Sequence, residues 1–201
     1  MALPFAAHGA SVAEQAYADA LRSKPDIVHG QVLFANCAAC HGADGGGVAD
    51  GSVPAIGGQR FRVLVRELID FRYHKRWDDL MEHYADERNL GSAQDLADVA
   101  SYINSLRSMR VAGSGDGEFV GRGAELYMRA CASCHGQEAQ GAELETYPKL
   151  AGQHYEYLLG QMQDAVEGRR PNFSREHVRL LARIGRNDRS AIADYLSRLS
   201  P

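Results

Sequence analysis

The chain has 201 residues, of which 45% are apolar and 24% are charged, and its 22 Lys and Arg against 26 Asp and Glu give a net charge of −4. This balance is typical of a globular protein and excludes an intrinsically disordered chain. A slightly acidic chain without a basic run is a poor candidate for nucleic-acid binding. No stretch approaches about 18 uncharged apolar residues, so we predict no transmembrane segment.

The N-terminal region, residues 1–25, is predicted to be a tail followed by one helix. Ser11 and Glu14 form the S-x-x-E pattern of a helix start, an alanine-rich stretch follows, and Pro25 ends it. The first ten residues lack the basic region and the long apolar run of a full signal peptide. We therefore interpret the chain as one whose signal peptide is absent or has been removed.

The four cysteines all lie in two copies of one pentapeptide, C-x-x-C-H. This string is the attachment signature of c-type haem, because its two thiols can add to the two vinyl groups of one haem and the imidazole that follows can bind the iron. A zinc site or a redox dithiol would not need that histidine. We therefore predict two covalently attached haem c groups. The predicted attachment residues are Cys37, Cys40, Cys131 and Cys134, and the predicted proximal iron ligands are His41 and His135.

The two motifs are 94 residues apart, and the same offset aligns Gly58-Gln59 with Gly152-Gln153 and Glu82-His83 with Glu176-His177. This repeat indicates an internal duplication. A glycine- and serine-rich segment between the copies is predicted to be a flexible linker. The predicted organisation is an N-terminal tail and helix at residues 1–25, a first haem domain at 26–110, the linker at 111–118 and a second haem domain at 119–201.

Both haem domains are predicted to be all-helical. In each, a helix leads into the C-x-x-C-H motif, a glycine-rich loop follows, a second helix comes after the loop, and a third helix closes the domain. No segment alternates convincingly as a β-strand. The predicted helices are Gly30–Asn36, 60–72 and Ala93–Ser108 in the first domain, and Gly121–Ala130, 154–167 and Asp188–Leu199 in the second.

The function depends on the group opposite each proximal histidine. An open iron binds a substrate or a gas, whereas a second His or a Met closes the iron for electron transfer. His83 and His177 each follow their proximal histidine by 42 residues, which favours axial ligation over a surface role. We predict bis-histidine ligation of both irons, with Met81 as the alternative ligand in the first domain.

Two prolines and two arginines are further candidates for the haem sites. Pro54 and Pro148 each follow the proximal histidine by 13 residues. A loop carbonyl there can accept the second ring N–H of that histidine and fix its tautomer, although a turn proline without a haem role is the alternative. Arg76 and Arg170 are aligned by the offset and are predicted either to neutralise haem propionates or to be solvated charges.

With these residues assembled, the chain resembles the dihaem cytochrome c4 family over residues 26–201. The strings P-K-L-A-G-Q-H at 148–154 and A-D-Y-L at 193–196 carry the resemblance beside the two haem motifs. It implies two tandem class I cytochrome c folds related by a pseudo-twofold axis, with the N-terminal helix added, and it implies Pro54 and Pro148 as partners of the proximal histidines. That family closes its haems with Met, so His83 and His177 predict a lower reduction potential.

We predict an electron-transfer protein rather than an enzyme. The resemblance implies a periplasmic carrier, and such a carrier would relay electrons between a dehydrogenase and a downstream oxidase or reductase. The alternative is a haem enzyme with a displaceable distal ligand, of the peroxidase or thiosulfate dehydrogenase type. No cysteine is left over to bind iron in such an enzyme, and a gas or redox sensor is a weaker third interpretation.

Overall fold

The structure is a computed structural model that describes residues 11–107 and 113–200. Within these residues there are ten α-helices and no strand, which confirms the all-α prediction. None of the described helices is long and apolar enough to cross a bilayer. The helices are α1 Val12–Arg22, α2 Ile27–His41, α3 Phe61–Arg72, α4 Asp79–Ala85, α5 Ala93–Ser105, α6 Val120–Ala130, α7 Ala132–His135, α8 Tyr155–Val166, α9 Arg175–Ala182 and α10 Arg186–Arg198.

Helix α1 begins where its capping pattern predicts. The Ser11 side chain accepts a hydrogen bond from the Glu14 amide, and the helix ends before Pro25. Ala13 and Ala20 are buried in the same core as α2, α3 and α5. The predicted N-terminal helix is therefore confirmed, and it packs as part of the first domain. The predicted tail at residues 1–10 lies outside the described part of the chain.

Two separate hydrophobic cores divide the helices into two domains. The first is built from α1, α2, α3 and α5, and the second from α6, α8 and α10. In both, the helix before the haem motif crosses the closing helix at a glycine. A Cβ added at Gly30 would lie 2.1 Å from the Asp98 carbonyl oxygen, and one at Gly123 would lie 2.0 Å from the Ala191 oxygen. The same close crossing in both halves agrees with the predicted tandem of two related domains.

Two short helices, α4 and α9, are not predicted by the sequence pattern. Helix α4 has seven residues and α9 has eight, and each lies between the second and the closing helix of its domain. Asp78 and Ser174 cap them, each accepting a hydrogen bond from a backbone amide three residues later. Both helices are too short to give a convincing apolar period, so only these caps signal them.

Hydrogen bonds connect the described part of the linker to the second domain. The Gly115 and Gly117 amides donate to the two carboxylate oxygens of Asp194, at 3.0 and 2.8 Å. The Gly113 carbonyl accepts from the Tyr155 amide at 2.8 Å. Composition shows the glycines and serines of this segment but not the distant residues that bind its amides. Residues 108–112, which include the predicted end of α5 and the start of the linker, lie outside the described residues.

The two domains meet through reciprocal side-chain amides, which is evidence for a pseudo-twofold relation. Gln59 accepts from the Lys149 amide at 2.8 Å and donates to the Lys149 carbonyl at 2.9 Å. Gln153 does the same with Ala55, at 3.0 and 2.7 Å. The 94-residue offset exchanges one pair for the other. We call these two contacts the amide clamps.

A second pair of contacts repeats the same symmetry. The Arg60 Nε donates to the Gln140 carbonyl at 2.6 Å, and the His154 Nε2 donates to the Gly46 carbonyl at 2.8 Å. These pairs are also exchanged by the offset of 94 residues. His154 is therefore a buried interdomain residue, and the offset aligns it with an arginine.

Candidate functional site

The four cysteines lie in the last turns of α2 and around the junction of α6 and α7, beside the two cores. Cys37 and Cys131 are half-buried, whereas Cys40 and Cys134 are exposed. In the first motif the helix continues through His41, so the spacing of three residues places both thiols on one face. In the second the helix breaks at Cys131, between α6 and α7.

Both proximal histidines are buried and oriented by the loop that follows them. The Nδ1 of His41 lies 3.0 Å from the Pro54 carbonyl oxygen, and the Nδ1 of His135 lies 3.0 Å from the Pro148 oxygen. A carbonyl can only accept, so each Nδ1 carries the proton and each Nε2 keeps its lone pair. Burial lowers the pKa of both imidazoles against the opposing effect of these hydrogen bonds, which favours the neutral form that iron requires.

In the second domain, α9 brings the His177 ring close to the ring of the proximal histidine, at an interplanar angle of 43°. The ring centroids of His135 and His177 are 6.1 Å apart. Two imidazoles on opposite sides of one iron have centroids roughly 6 Å apart, since each metal–nitrogen bond is about 2 Å long. Phe173 stacks on the His177 ring at 4.7 Å and 22°, and burial is the main cause that lowers the pKa of His177. These side chains fit a haem iron closed on both sides by imidazole.

The first domain is arranged differently around α4. The His83 side chain is exposed, and its ring contacts the neighbouring Tyr84 edge-on. Met81 is half-buried, and its amide donates to the capping Asp78 at 2.9 Å. The structure therefore pairs His177 with a proximal histidine, but it gives His83 no comparable place among the described residues. Ligation by His83 remains a prediction from the sequence spacing.

Arg76 and Arg170 lie together at the interface of the two domains and are not solvated. Their side chains are 13% and 10% exposed, and both contact the Glu67 carboxylate, at 2.5 and 2.7 Å. Both also donate to the Gln161 amide oxygen, at 2.9 and 2.6 Å, and Arg76 donates to the Tyr157 hydroxyl at 2.6 Å. We call this group the arginine cluster.

The arginine cluster has an unbalanced positive charge. Burial raises the pKa of the Glu67 carboxyl, but the charges of Arg76 and Arg170 outweigh it and hold that pKa below its usual value. Glu67 is therefore ionised, and two guanidinium groups share one carboxylate. A half-buried group of this kind carries a net charge of about +1 and favours an additional anion.

Motif spacing does not reveal the interdomain contacts of several of these residues. Gln59 and Gln153 belong to a repeated string, and Glu67 and Gln161 lie outside any motif, although the 94-residue offset relates these last two as well. Glu67 and Gln161 are polar residues in helices that otherwise face a core, and they recur at the same offset. This recurrence is the feature of the sequence that indicates the domain interface.

Comparison with known proteins agrees with this arrangement. The family model for cytochrome c matches twice, over residues 27–107 and 120–200. A cytochrome c4 of Pseudomonas aeruginosa is 35% identical over 184 residues, which cover 87% of this chain and 89% of that protein. The crystal structure of reduced recombinant cytochrome c4 from Pseudomonas stutzeri has a TM-score of 0.76 at 28% identity and covers 88% of this chain and 100% of that one.

A relative with a different name is also similar to this chain. It is described as a thiosulfate dehydrogenase electron acceptor of Stutzerimonas stutzeri, is 30% identical over 171 residues, and covers 80% of this chain and 77% of its own length. The two matches to the family model, the two haem motifs and the architecture shared with a solved cytochrome c4 all indicate the same family. The chain therefore belongs to the cytochrome c family, as a dihaem electron-transfer cytochrome of the c4 type with two covalently attached haem c groups.

Proposed function

We propose that this chain is a periplasmic carrier that passes single electrons between a dehydrogenase and a downstream oxidase or reductase. The observation that carries the proposal is the opposed pair of His135 and His177 rings, with centroids 6.1 Å apart. When bound, each haem supplies the one-electron oxidation and reduction of its iron. The residues of the chain attach that group, close its iron and balance its charge.

Attachment and proximal ligation use the two C-x-x-C-H motifs. The thiols of Cys37, Cys40, Cys131 and Cys134 form the covalent links, and His41 and His135 are the proximal ligands. The Pro54 and Pro148 carbonyls accept the Nδ1–H of these histidines. Such a hydrogen bond fixes the tautomer and the ring orientation, and it makes the imidazole a stronger donor to iron.

Closure of the second iron is assigned to His177. Its ring is half-buried, and stacking on Phe173 at 4.7 Å limits its rotation. A ligand held in this way resists displacement by an external molecule. A six-coordinate iron changes its geometry little between oxidation states, which suits rapid electron transfer. In the first domain the candidates for the same role are Met81 and His83, both on α4.

The arginine cluster is assigned to the haem propionates. Arg76 and Arg170 together exceed the charge of Glu67 by one, in a place where their side chains are nearly buried. A haem bears two carboxylates at one edge, and an anion that enters this cluster would remove its unbalanced charge. This is the preferred alternative among the two that the sequence left open for these arginines.

The chemistry of haem attachment supports a periplasmic location, and similarity to a named relative supports a protein redox partner. Haem attachment to C-x-x-C-H takes place outside the cytoplasm, which supports export to the periplasm. A relative that is described as an electron acceptor of thiosulfate dehydrogenase supports a dehydrogenase as the donor. The holoprotein is also more acidic than the sequence charge of −4, because propionates add to it. A basic docking face on the partner would complement it.

Optical spectra of the oxidised and reduced holoprotein, with and without CO, test the carrier function. We expect two low-spin haems that do not take up CO, since both irons are closed by side chains. The control is His177→Ala, which should make one haem high-spin and reactive with CO while the other stays unchanged.

Ready binding of CO by the unaltered protein would contradict the proposal. It would favour the alternative, a haem enzyme of the peroxidase or thiosulfate dehydrogenase type with a displaceable distal ligand. Turnover of peroxide or thiosulfate at the open haem would then identify which of these activities the protein has.

A further inference from the structure

The helices that carry the distal residues, α4 and α9, do not follow the 94-residue offset of the two haem motifs. Under the 94-residue offset, His83 is the counterpart of His177. In the structure, however, α4 begins after the cap Asp78 and α9 begins after the cap Ser174. The caps are 96 residues apart, so the two helices are aligned by 96 residues and not by 94.

Capping assigns the counterpart of His177 to Met81. His177 is the third residue of α9, and its amide donates to the Ser174 hydroxyl at 3.1 Å. Met81 is the third residue of α4, and its amide donates to the Asp78 carboxylate at 2.9 Å. In both helices the residue with this bond lies at the same point of the first turn, and its side chain leaves the helix in a corresponding direction.

Burial along the two helices supports the same alignment. With an offset of 96, residues 79–85 and 175–181 have the same series of exposures, beginning with two exposed residues and ending with a buried one. Met81 and His177 are both half-buried in this series. His83 then corresponds to Arg179, and both side chains are exposed. The residues that end the series, Ala85 and Leu181, are both buried.

The change of offset has a local cause in the preceding loops. Arg76 and Arg170 occupy equivalent positions in the arginine cluster, so the offset is still 94 there. One residue separates Arg76 from the cap Asp78, whereas three residues separate Arg170 from the cap Ser174. The second domain therefore has two extra residues in this loop, and the equal spacing of the two histidines from their haem motifs is coincidental.

We propose that Met81 closes the first haem iron and His177 closes the second, so that the two haems differ in their distal ligands. This inference rests on the proposed function and specifies its two metal sites. A thioether sulfur paired with histidine gives a higher reduction potential than two imidazoles do. An electron that enters at the second domain therefore moves to the first domain and resides there.

Substitution of the two α4 candidates tests the inference in the holoprotein. Met81→Ala should abolish the far-red charge-transfer band of a methionine–iron(III) haem and should leave one haem open to CO. His83→Ala is the matched control from the same helix and should leave the spectrum, the CO reactivity and both reduction potentials unchanged. A potentiometric titration of the unaltered protein should resolve two separate one-electron steps, of which Met81→Ala shifts only the higher.

A second variant keeps the test decisive if Met81→Ala does not fold. Met81→His should remain low-spin, lose the far-red band and bring the two potentials together. A loss of low-spin character in His83→Ala, with Met81→Ala unchanged, would overturn the inference. If neither haem of the unaltered protein binds CO and neither shows the methionine band, the inference is overturned but the carrier function is not. CO binding by the unaltered protein would instead contradict the carrier function.

Discussion

Each proximal histidine is oriented by a carbonyl that lies beside a residue held by the opposite domain. Pro54 accepts the His41 Nδ1–H, and the next residue, Ala55, has its amide and its carbonyl bound by Gln153 of the second domain. Pro148 and Lys149 have the same relation to Gln59 of the first domain. The amide clamps therefore link the environment of each haem ligand to the other domain.

Removal of one clamp should affect the haem of the opposite domain. Gln153→Leu leaves the Ala55 amide and carbonyl without partners and loosens the adjacent Pro54 carbonyl. Because a weaker hydrogen bond makes His41 a poorer donor to iron, we expect the potential of the first haem to rise more than that of the second. The unfolding free energy should also fall by about 1–3 kcal/mol. A redox titration that resolves the two haems measures the effect.

The mirror substitution is the control for this prediction. Gln59→Leu removes the partners of Lys149, so it should act mainly on the second haem. If each variant shifts the reduction potentials of both haems equally, the clamps stabilise the protein without orienting the histidines.

At the scale of elements, the glycines in α2 and α6 allow these helices to contact the closing helices closely. The Cβ that alanine would add at Gly123 lies 2.0 Å from the Ala191 carbonyl oxygen, which is backbone and cannot move aside. Gly121, two residues earlier in the same helix, has no atom within 4 Å of its added Cβ. The two positions separate the effect of packing from the effect of helix propensity.

Gly123→Ala should therefore destabilise the second domain by about 1–3 kcal/mol or more, because α6 must move away from α10. Gly121→Ala should be neutral or stabilising by up to about 1 kcal/mol, since alanine favours a helix more than glycine does. Denaturation of the holoprotein, followed by circular dichroism, checks both. Equal stability of the two variants would show that the helices do not approach as closely as the structure has them.

Helices α4 and α9 show how far periodicity can predict elements in this chain. The longer helices were predicted to within a few residues, apart from α2, which extends through its haem motif and begins earlier than predicted. Helices α4 and α9, with seven and eight residues, were not predicted, although they carry the candidate distal ligands. Their register is set by the caps Asp78 and Ser174, and a fixed repeat offset cannot detect two extra residues in one loop.

At the scale of the whole molecule, the arginine cluster joins the two halves by charge. Glu67 belongs to the first domain and contacts arginines of both, so its carboxylate contributes to the interface as well as to charge balance. These arginines hold the pKa of the Glu67 carboxyl below its usual value, although burial acts to raise it. The contribution of Glu67 to stability is therefore complete above the pKa of the unfolded state, about 4.3. That contribution is lost as the pH falls through the lower pKa of the folded state.

Glu67→Gln should destabilise the protein by about 2–4 kcal/mol at neutral pH, because it leaves two nearly buried guanidinium groups without their shared carboxylate. It should also raise both reduction potentials, since the added positive charge favours the reduced haems. The difference in stability between the unaltered protein and the variant should shrink in acid, where Glu67 itself becomes protonated. Denaturation at several pH values and a redox titration measure these effects.

A difference in stability that does not change with pH would contradict the assigned charge of Glu67. A shift in the potential of one haem alone would show that the cluster serves only one domain.

The sequence by itself determined the cofactor, the number of haems, the tandem duplication and the all-helical class. The reason is that attachment chemistry requires thiols and an imidazole at fixed positions along the chain, as at Cys37, Cys40 and His41. The family resemblance also identified Pro54, whose carbonyl lies beside His41 as expected. These features are local, so that spacing is sufficient to find them.

Only the tertiary structure decided which distant side chains meet. It opposed His177 to His135, left His83 exposed, placed Arg76 and Arg170 around Glu67, and held the linker by Asp194. Each of these outcomes depends on loop length, helix capping and packing between domains. A spacing of 42 residues is the same in both halves of the sequence, but the direction of a side chain depends on where its helix begins.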